Sequence, residues 1–194
     1  MKKVLLTFAL VAATVASFAQ GKINMVNDAA HGITWGTALK NSEVGLAGTL
    51  INGSAGVGTT LLVDLYGGTT AGTMTLQQTT TMSLTLAGVF GPKTFTSANL
   101  PGATPAFMQV KVRENTFTTA ELAQAGGGYY GFSPVFNFNP SSTIAFNSIV
   151  VSGGTALSTW AAAPVTVQVA PEPTSMALAG IGAAAMVIFR RRNK

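Results

Sequence analysis

The chain has 194 residues, 47% of them hydrophobic, with no cysteine, one histidine, and six carboxylates against eleven lysines and arginines. A formal charge of +5 would suit a nucleic-acid or anionic-surface partner, but Lys2 and Lys3 carry two of these charges, and Arg190, Arg191, Arg192 and Lys194 against Glu172 carry the other three. Between Gln20 and Ala170, Lys22, Lys40, Lys93, Lys111 and Arg113 balance Asp28, Glu43, Asp64, Glu114 and Glu121, so this body is neutral and too poor in cations to track a phosphate backbone.

The amino terminus points to export. Met1-Lys2-Lys3 is a basic start, Val4 to Val15 is an apolar run, and Ser17-Phe18-Ala19 places small residues at both positions that a signal peptidase reads. Residues 1–19 are therefore expected to be a helical signal peptide, too short to span a bilayer comfortably, cleaved by signal peptidase between Ala19 and Gln20. Export permits disulfides, yet a chain without cysteine can form none and must be held by packing.

From Gln20 to Ala170 the hydrophobic period is two. Leu61, Val63 and Leu65 alternate with Leu62, Asp64 and Tyr66; Met74 and Leu76 alternate with threonine and Gln77; Met82, Leu84 and Leu86 alternate with Thr81, Ser83 and Thr85. Met108, Val110 and Val112 face away from Gln109, Lys111 and Arg113, Phe136 and Phe138 away from Asn137 and Asn139, and Val165, Val167 and Val169 away from Thr166 and Gln168. Weaker strand candidates are Lys22–Val26, Val44–Ile51, Lys93–Thr96 and Thr143–Val151. Turn formers such as Asn52-Gly53, Gly67-Gly68, Gly91-Pro92, Pro101-Gly102 and Asn139-Pro140 separate them. One helix interrupts the pattern: Thr118-Thr119-Ala120-Glu121 fits a capping box, and Gly126-Gly127-Gly128 stops the turn. The expected fold is all-β, an antiparallel β-sandwich of jelly-roll-like or Ig-like type. Its short crossover helix would join the Met108–Arg113 strand to the Tyr129–Asn139 strand.

Few residues in this body carry chemistry. Asp28-x-x-His31 is the one carboxylate–imidazole pairing close in sequence, and could ligate a metal or orient a base; the plainer reading is a polar turn with Asp28 bonded to its own backbone and His31 solvated. No Gly-x-Ser-x-Gly elbow is present, and Gly126-Gly127-Gly128 lacks the Lys-Ser or Lys-Thr of a phosphate loop. Nothing marks any two of the five carboxylates as a glycosidase pair. No metal, no cofactor and no catalysis are expected. Trp35, Tyr129, Tyr130, Phe132 and Trp160 could stack on sugar rings, with Trp35 and Trp160 the candidate glycan contacts, although core packing accounts for the same residues.

The carboxy end runs Pro171-Glu172-Pro173-Thr174-Ser175, an uncharged stretch from Met176 to Phe189, then Arg190-Arg191-Arg192-Asn193-Lys194. The prolines fix φ and remove two donors, so the segment around Glu172 is expected to be extended and accessible. At about 1.5 Å per residue, Thr174–Phe189 reaches roughly 24 Å against a hydrocarbon core of roughly 30 Å, a marginal transmembrane helix. It has no polar face for a soluble core helix. Arg190, Arg191 and Arg192 would stop transfer and stay cytoplasmic, leaving the body outside.

Pro-Glu-Pro, one short apolar helix and an arginine cluster, in that order, resemble the PEP-CTERM sorting signal that bacterial exosortases recognise and process. The resemblance implies three segments: a signal peptide (1–19), a secreted β-sandwich domain (20–170) and a sorting tail (171–194). It further implies export, holding in the inner membrane by the tail, recognition by an exosortase at Pro171, Glu172 and Pro173, and delivery to the cell surface or an extracellular polysaccharide matrix. The stretch from Gln109 through the helix to Phe136 is similar to a segment of PEP-CTERM ectodomains, which have no common activity, so this likeness implies a fold and brings no mechanism. The expected function is that of a non-catalytic surface or matrix protein; the alternatives are an exopolysaccharide-binding module and a polysaccharide-cleaving enzyme.

Overall fold

Alternating β-branched, aromatic and hydroxyl side chains build ten strands among the residues that the computed structural model describes, namely 20–40, 43–52, 60–150, 157–170 and 181. The strands are β1 (Gln20–Met25), β2 (Ile33–Trp35), β3 (Leu61–Gly68), β4 (Thr75–Thr81), β5 (Lys93–Pro101), β6 (Ala106–Glu114), β7 (Tyr129–Phe132), β8 (Phe136–Phe138), β9 (Asn147–Ser148) and β10 (Val165–Val169). A 3-10 turn, Ala29–His31, and one α-helix, α1 (Ala120–Ala125), complete the described elements. The expected signal helix and the tail helix Thr174–Phe189 lie outside the described residues, apart from Ile181. Among the described residues no helix is long and apolar enough to cross a membrane.

The strands form two sheets, one ordered β5-β1-β9 and the other β2-β10-β7-β6-β3-β4, with β8 continuing beside β6. Inward side chains of both sheets meet in one apolar cluster: Ile23 and Met25 from β1, Leu100 from β5, Val63 and Leu65 from β3, Met108, Val110 and Val112 from β6, Val165 and Val167 from β10. That is the all-β arrangement that the period of two implied, with one departure. Pairing is antiparallel throughout the ladders except β1 with β9 and β2 with β10, which are parallel. Those exceptions arise because each pair joins a strand near the start of the domain to one near its end, with no hairpin to force opposite directions.

β7 and β8 lie along the same side of β6, one against Lys111–Arg113 and the other against Ala106–Met108. Ser133 bridges the break, its Oγ accepting from the Val110 amide at 2.9 Å and its own amide donating to the Val110 carbonyl at 2.9 Å. The expected crossover helix is therefore a connection between neighbouring strands of one sheet. Its N-cap is Thr119, whose hydroxyl accepts from the Leu122 amide at 3.2 Å, one residue later than the Thr118 box implied. Gly127 closes the helix at φ +70, a left-handed conformation that glycine adopts without a Cβ clash.

Two expected strands do not form. In Val44–Ile51, Gly45 and Gly48 take φ +102 and +78 and fold the chain into turns; only its end covers β2, with the Ile51 amide donating to the Ile33 carbonyl at 2.9 Å. In Met82–Leu86, the Ser83 hydroxyl accepts from the amides of Thr85 at 3.3 Å and Leu86 at 3.1 Å. That local competitor curls the backbone, burying Met82 and leaving Leu84 and Leu86 70% and 60% exposed.

Candidate functional site

The strand that leads into the carboxy-terminal tail is not at an edge. β10 sits between β2, parallel to it, and β7, antiparallel, so its backbone is bonded on both sides. On the β2 side the Val165 amide donates to the Gly32 carbonyl at 2.9 Å, the Gly36 amide to the Val167 carbonyl at 2.7 Å, and the Val169 amide to the Ala38 carbonyl at 2.9 Å. On the β7 side Gln168 faces Tyr130 and Val169 faces Tyr129. Both neighbours come unusually close. A Cβ on Gly131 would stand 2.7 Å from the Thr166 carbonyl oxygen, and one on Gly36 would stand 2.8 Å from the Gln168 Cβ. Glycine at these positions is what admits β10 between its neighbours.

The end of β10 is fixed by a cluster around Tyr129. The Tyr129 hydroxyl donates to Glu43 Oε2 at 2.8 Å and accepts from the Lys40 amide at 3.1 Å. Its own amide donates to Glu114 Oε2 at 3.2 Å, and Lys40 Nζ lies 3.6 Å from that same carboxylate oxygen. Burial above all, and the Glu43 carboxylate with it, push the Tyr129 phenol up to about 12 against the opposing effect of the Lys40 amide. The phenol therefore stays a donor at any ordinary pH. Ala170 alone separates the last bonded residue, Val169, from Pro171.

The remaining ionisable side chains form braces. Asp64, fully buried in β3, accepts from Arg113 Nε at 2.6 Å and from the Thr79 hydroxyl at 2.6 Å, while Arg113 also donates to the Phe117 carbonyl below α1. Lys111 pairs with Glu121 of α1 and lies 4.1 Å from the centre of the Tyr66 ring. His31, expected to be solvated, is 5% exposed: Nδ1 lies 2.6 Å from Asp28 Oδ1 and Nε2 lies 3.1 Å from the Trp160 carbonyl. Both partners are acceptors, so each contact is a hydrogen bond when the facing ring nitrogen carries its proton, and both nitrogens point at protein groups. Asp28 also caps the 3-10 turn through the amides of Ala30 and His31, each at 3.0 Å, as the polar-turn reading required. Burial alone would raise this carboxyl, but the hydrogen bonds and charge of His31 outweigh it and hold Asp28 below the usual carboxylate range. Among the described residues no three His, Asp or Glu side chains cluster as a metal site.

Trp35 and Trp160 are 2% and 3% exposed. Trp35 packs against Tyr129 at 5.2 Å between ring centres, and Trp160 stacks on Phe136 at 5.1 Å and touches His31 at 4.7 Å, so both rings are occupied by protein. Gln20, on the mature side of the expected signal-peptidase cut, opens β1 and is exposed; Ala19, Pro171, Glu172, Pro173, Arg190, Arg191 and Arg192 lie outside the described residues. A shallow cleft of roughly 370 Å³ opens instead beside β8, where Phe107, Asn137, Asn139 and Thr159 line it with Pro105 and Phe138. Sequence reading missed the Tyr129 cluster and the role of Gly36 and Gly131. One signal was available for the Asp64 brace, a lone carboxylate in the middle of Leu61-Leu62-Val63-Asp64-Leu65.

The family model described as the PEP-CTERM protein-sorting motif matches residues 169–192. Its first residue, Val169, is the last residue of β10. No curated protein and no solved structure matches the chain.

Proposed function

From the premise that this chain carries a PEP-CTERM motif, and so is exported and processed by an exosortase, we propose that it is a non-catalytic component of the cell surface or extracellular matrix. In this reading signal peptidase removes residues 1–19, the apolar run Met176–Phe189 holds the precursor in the membrane with Arg190–Arg192 on the cytoplasmic side, and the exosortase reads Pro171-Glu172-Pro173. The domain from Gln20 to Ala170 is then the delivered cargo, and two sheets around one core suit a β-sandwich.

One observation carries the non-catalytic part. Every carboxylate of the body and its one imidazole already has a structural partner: Asp28 with His31, Glu43 with Tyr129, Asp64 with Arg113, Glu114 with Lys40 and Glu121 with Lys111. General acid–base chemistry needs a titrating group free to meet substrate, and each of these groups is engaged in a brace, the Asp28–His31 pair within a turn and the others between strands, turns and α1. Polysaccharide cleavage, the enzymatic alternative, would need two carboxylates converging across a cleft.

The test is the carboxy-terminal mass of the surface-located protein in wild type, Pro171→Ala and Glu172→Ala. Loss of Arg190–Lys194 in wild type and their retention in the variants is the expected result; a wild-type surface protein still ending in Lys194 would sink the sorting reading.

The cleft beside β8 favours a second reading, glycan binding, at a place other than the tryptophans. Phe107 contributes an aromatic ring to the lining and Asn137, Asn139 and Thr159 contribute amide and hydroxyl groups, the mixture a sugar ring recruits. Isothermal titration with the host's own exopolysaccharide should then give binding that Phe107→Ala and Asn137→Ala abolish and that Trp35→Phe leaves unchanged.

A further inference from the structure

The sorting motif follows the folded domain with almost no spacer. The Val169 amide is bonded to Ala38, Val169 is paired with Tyr129, and only Ala170 precedes Pro171. At about 3.5 Å per residue, Pro171 stands within roughly 7 Å of that last backbone bond. A segment recognised in extended form gives its backbone hydrogen bonds to the edge that binds it. Here the upstream backbone is already committed on both sides, to β2 and to β7.

Resting on the sorting reading above, we propose that β10 is a latch on the sorting motif: the end of β10, Gln168–Val169, must leave Ala38, Tyr129 and Tyr130 before the exosortase can seat Pro171-Glu172-Pro173. The surroundings of Val169 fit a latch that opens only at its end. Val165 and Val167 are fully buried between the two sheets, so the amino-terminal part of β10 stays as long as the domain stays folded. Gln168 and Val169 are half-buried, and they are held by the Ala38 bond, by the Tyr129 and Tyr130 pairings, and by Gln168 Nε2 donating to the Tyr130 hydroxyl at 3.3 Å. The Tyr129 ring is itself set by Trp35, Glu43 and the Lys40 amide, so the rigidity of the latch comes from the core.

The experiment follows conversion of full-length precursor to the processed form in pulse-labelled host cells, with three chains. The first is wild type. The second carries a flexible Gly-Ser insertion of about ten residues between Ala170 and Pro171, which frees the motif and leaves β10 seated. The third is Tyr130→Cys with Gln168→Cys: these residues face each other across antiparallel strands, where Cα atoms about 5.5 Å apart lie within the span of a disulfide, and no other cysteine exists to compete. The insertion is expected to speed conversion roughly tenfold, the gain from removing an opening step that breaks a few backbone bonds. The oxidised double variant is expected to convert more slowly than wild type and, in dithiothreitol, to convert at least as fast as wild type, since it lacks the Gln168–Tyr130 bond. Melting temperatures of the wild-type and insertion domains should coincide. An unchanged rate in the insertion variant overturns the latch; a slower one overturns it in favour of an enzyme that docks on the folded end of the domain. If no chain, the insertion variant included, ever loses Arg190–Lys194, the failure belongs to the sorting reading itself.

Discussion

β10 and the stretch that enters β4 look alike in sequence and end in opposite environments. Val165, Val167 and Val169 alternate with Thr166 and Gln168, and Met74 and Leu76 alternate with Thr73, Thr75 and Gln77, yet Val165 and Val167 are 1% and 0% exposed while Leu76 is 48% exposed and, further along β4, Thr80 is buried. β10 has a strand on either side and glycines that let both come close; β4 ends its sheet, with a ladder to β3 alone. A register shift accounts for the rest. Leu65 faces Gln78 but Tyr66 faces Leu76, so Gln77 is an extra residue, and a bulge of one residue moves every side chain beyond it to the other face. Alternation tells that a segment is a strand. Which face is buried depends on neighbours and register.

Four measurements would break or sharpen that contrast. The largest effect is expected where β4 does reach the interior, at Asp64, held by Arg113 and by Thr79 of β4. Asp64→Ala leaves Arg113 buried without its counter-charge and should cost about 3–5 kcal/mol in urea unfolding; a loss below about 1 kcal/mol would mean that water reaches this pair. Next is the centre of β10: Val167→Ala, at a site with no exposure, should cost about 2–3 kcal/mol.

A smaller effect concerns the brace that joins the 3-10 turn to Trp160. Because the folded-state pKa of Asp28 is depressed, its contribution is present above the unfolded carboxyl value near 3.9 and is lost as pH falls through the lower folded value. Wild type and Asp28→Asn should therefore differ at neutral pH and converge below about pH 4, by less than about 1 kcal/mol because the Asp28 side chain is 47% exposed and screened. Parallel melting curves across that range would contradict the assignment. Least of all, Leu76→Thr should stay within about 0.5 kcal/mol of wild type; a loss comparable to Val167→Ala would show that β4 is covered in solution.

Much of the fold was legible because period two survives in strands with a partner on each side. Leu61–Leu65, Met108–Val112, Phe136–Phe138 and Val165–Val167 all bury the expected residues. The failures share a cause of shorter range. Ser83 offers the backbone a hydroxyl acceptor, and Gly45 and Gly48 permit a left-handed turn, so segments with strand composition fold as turns. His31 looked solvated because its second partner, the Trp160 carbonyl, is 129 residues away. The Tyr129 cluster was hidden in the same way, Glu43 being 86 residues from the phenol it accepts from.

The sequence by itself determined that this protein is exported and processed by an exosortase. The sorting motif is a matter of spacing and composition along the chain, and the match over residues 169–192 rests on them. It also determined that the domain would be β, because alternation is a local property of the chain. Only the tertiary structure decided that the tail-bearing strand lies inside a sheet. Inter-strand order is set by contacts between residues far apart in sequence, β2 near the start, β7 past the middle and β10 at the end, and by whether two glycines leave room for the backbone that passes between them.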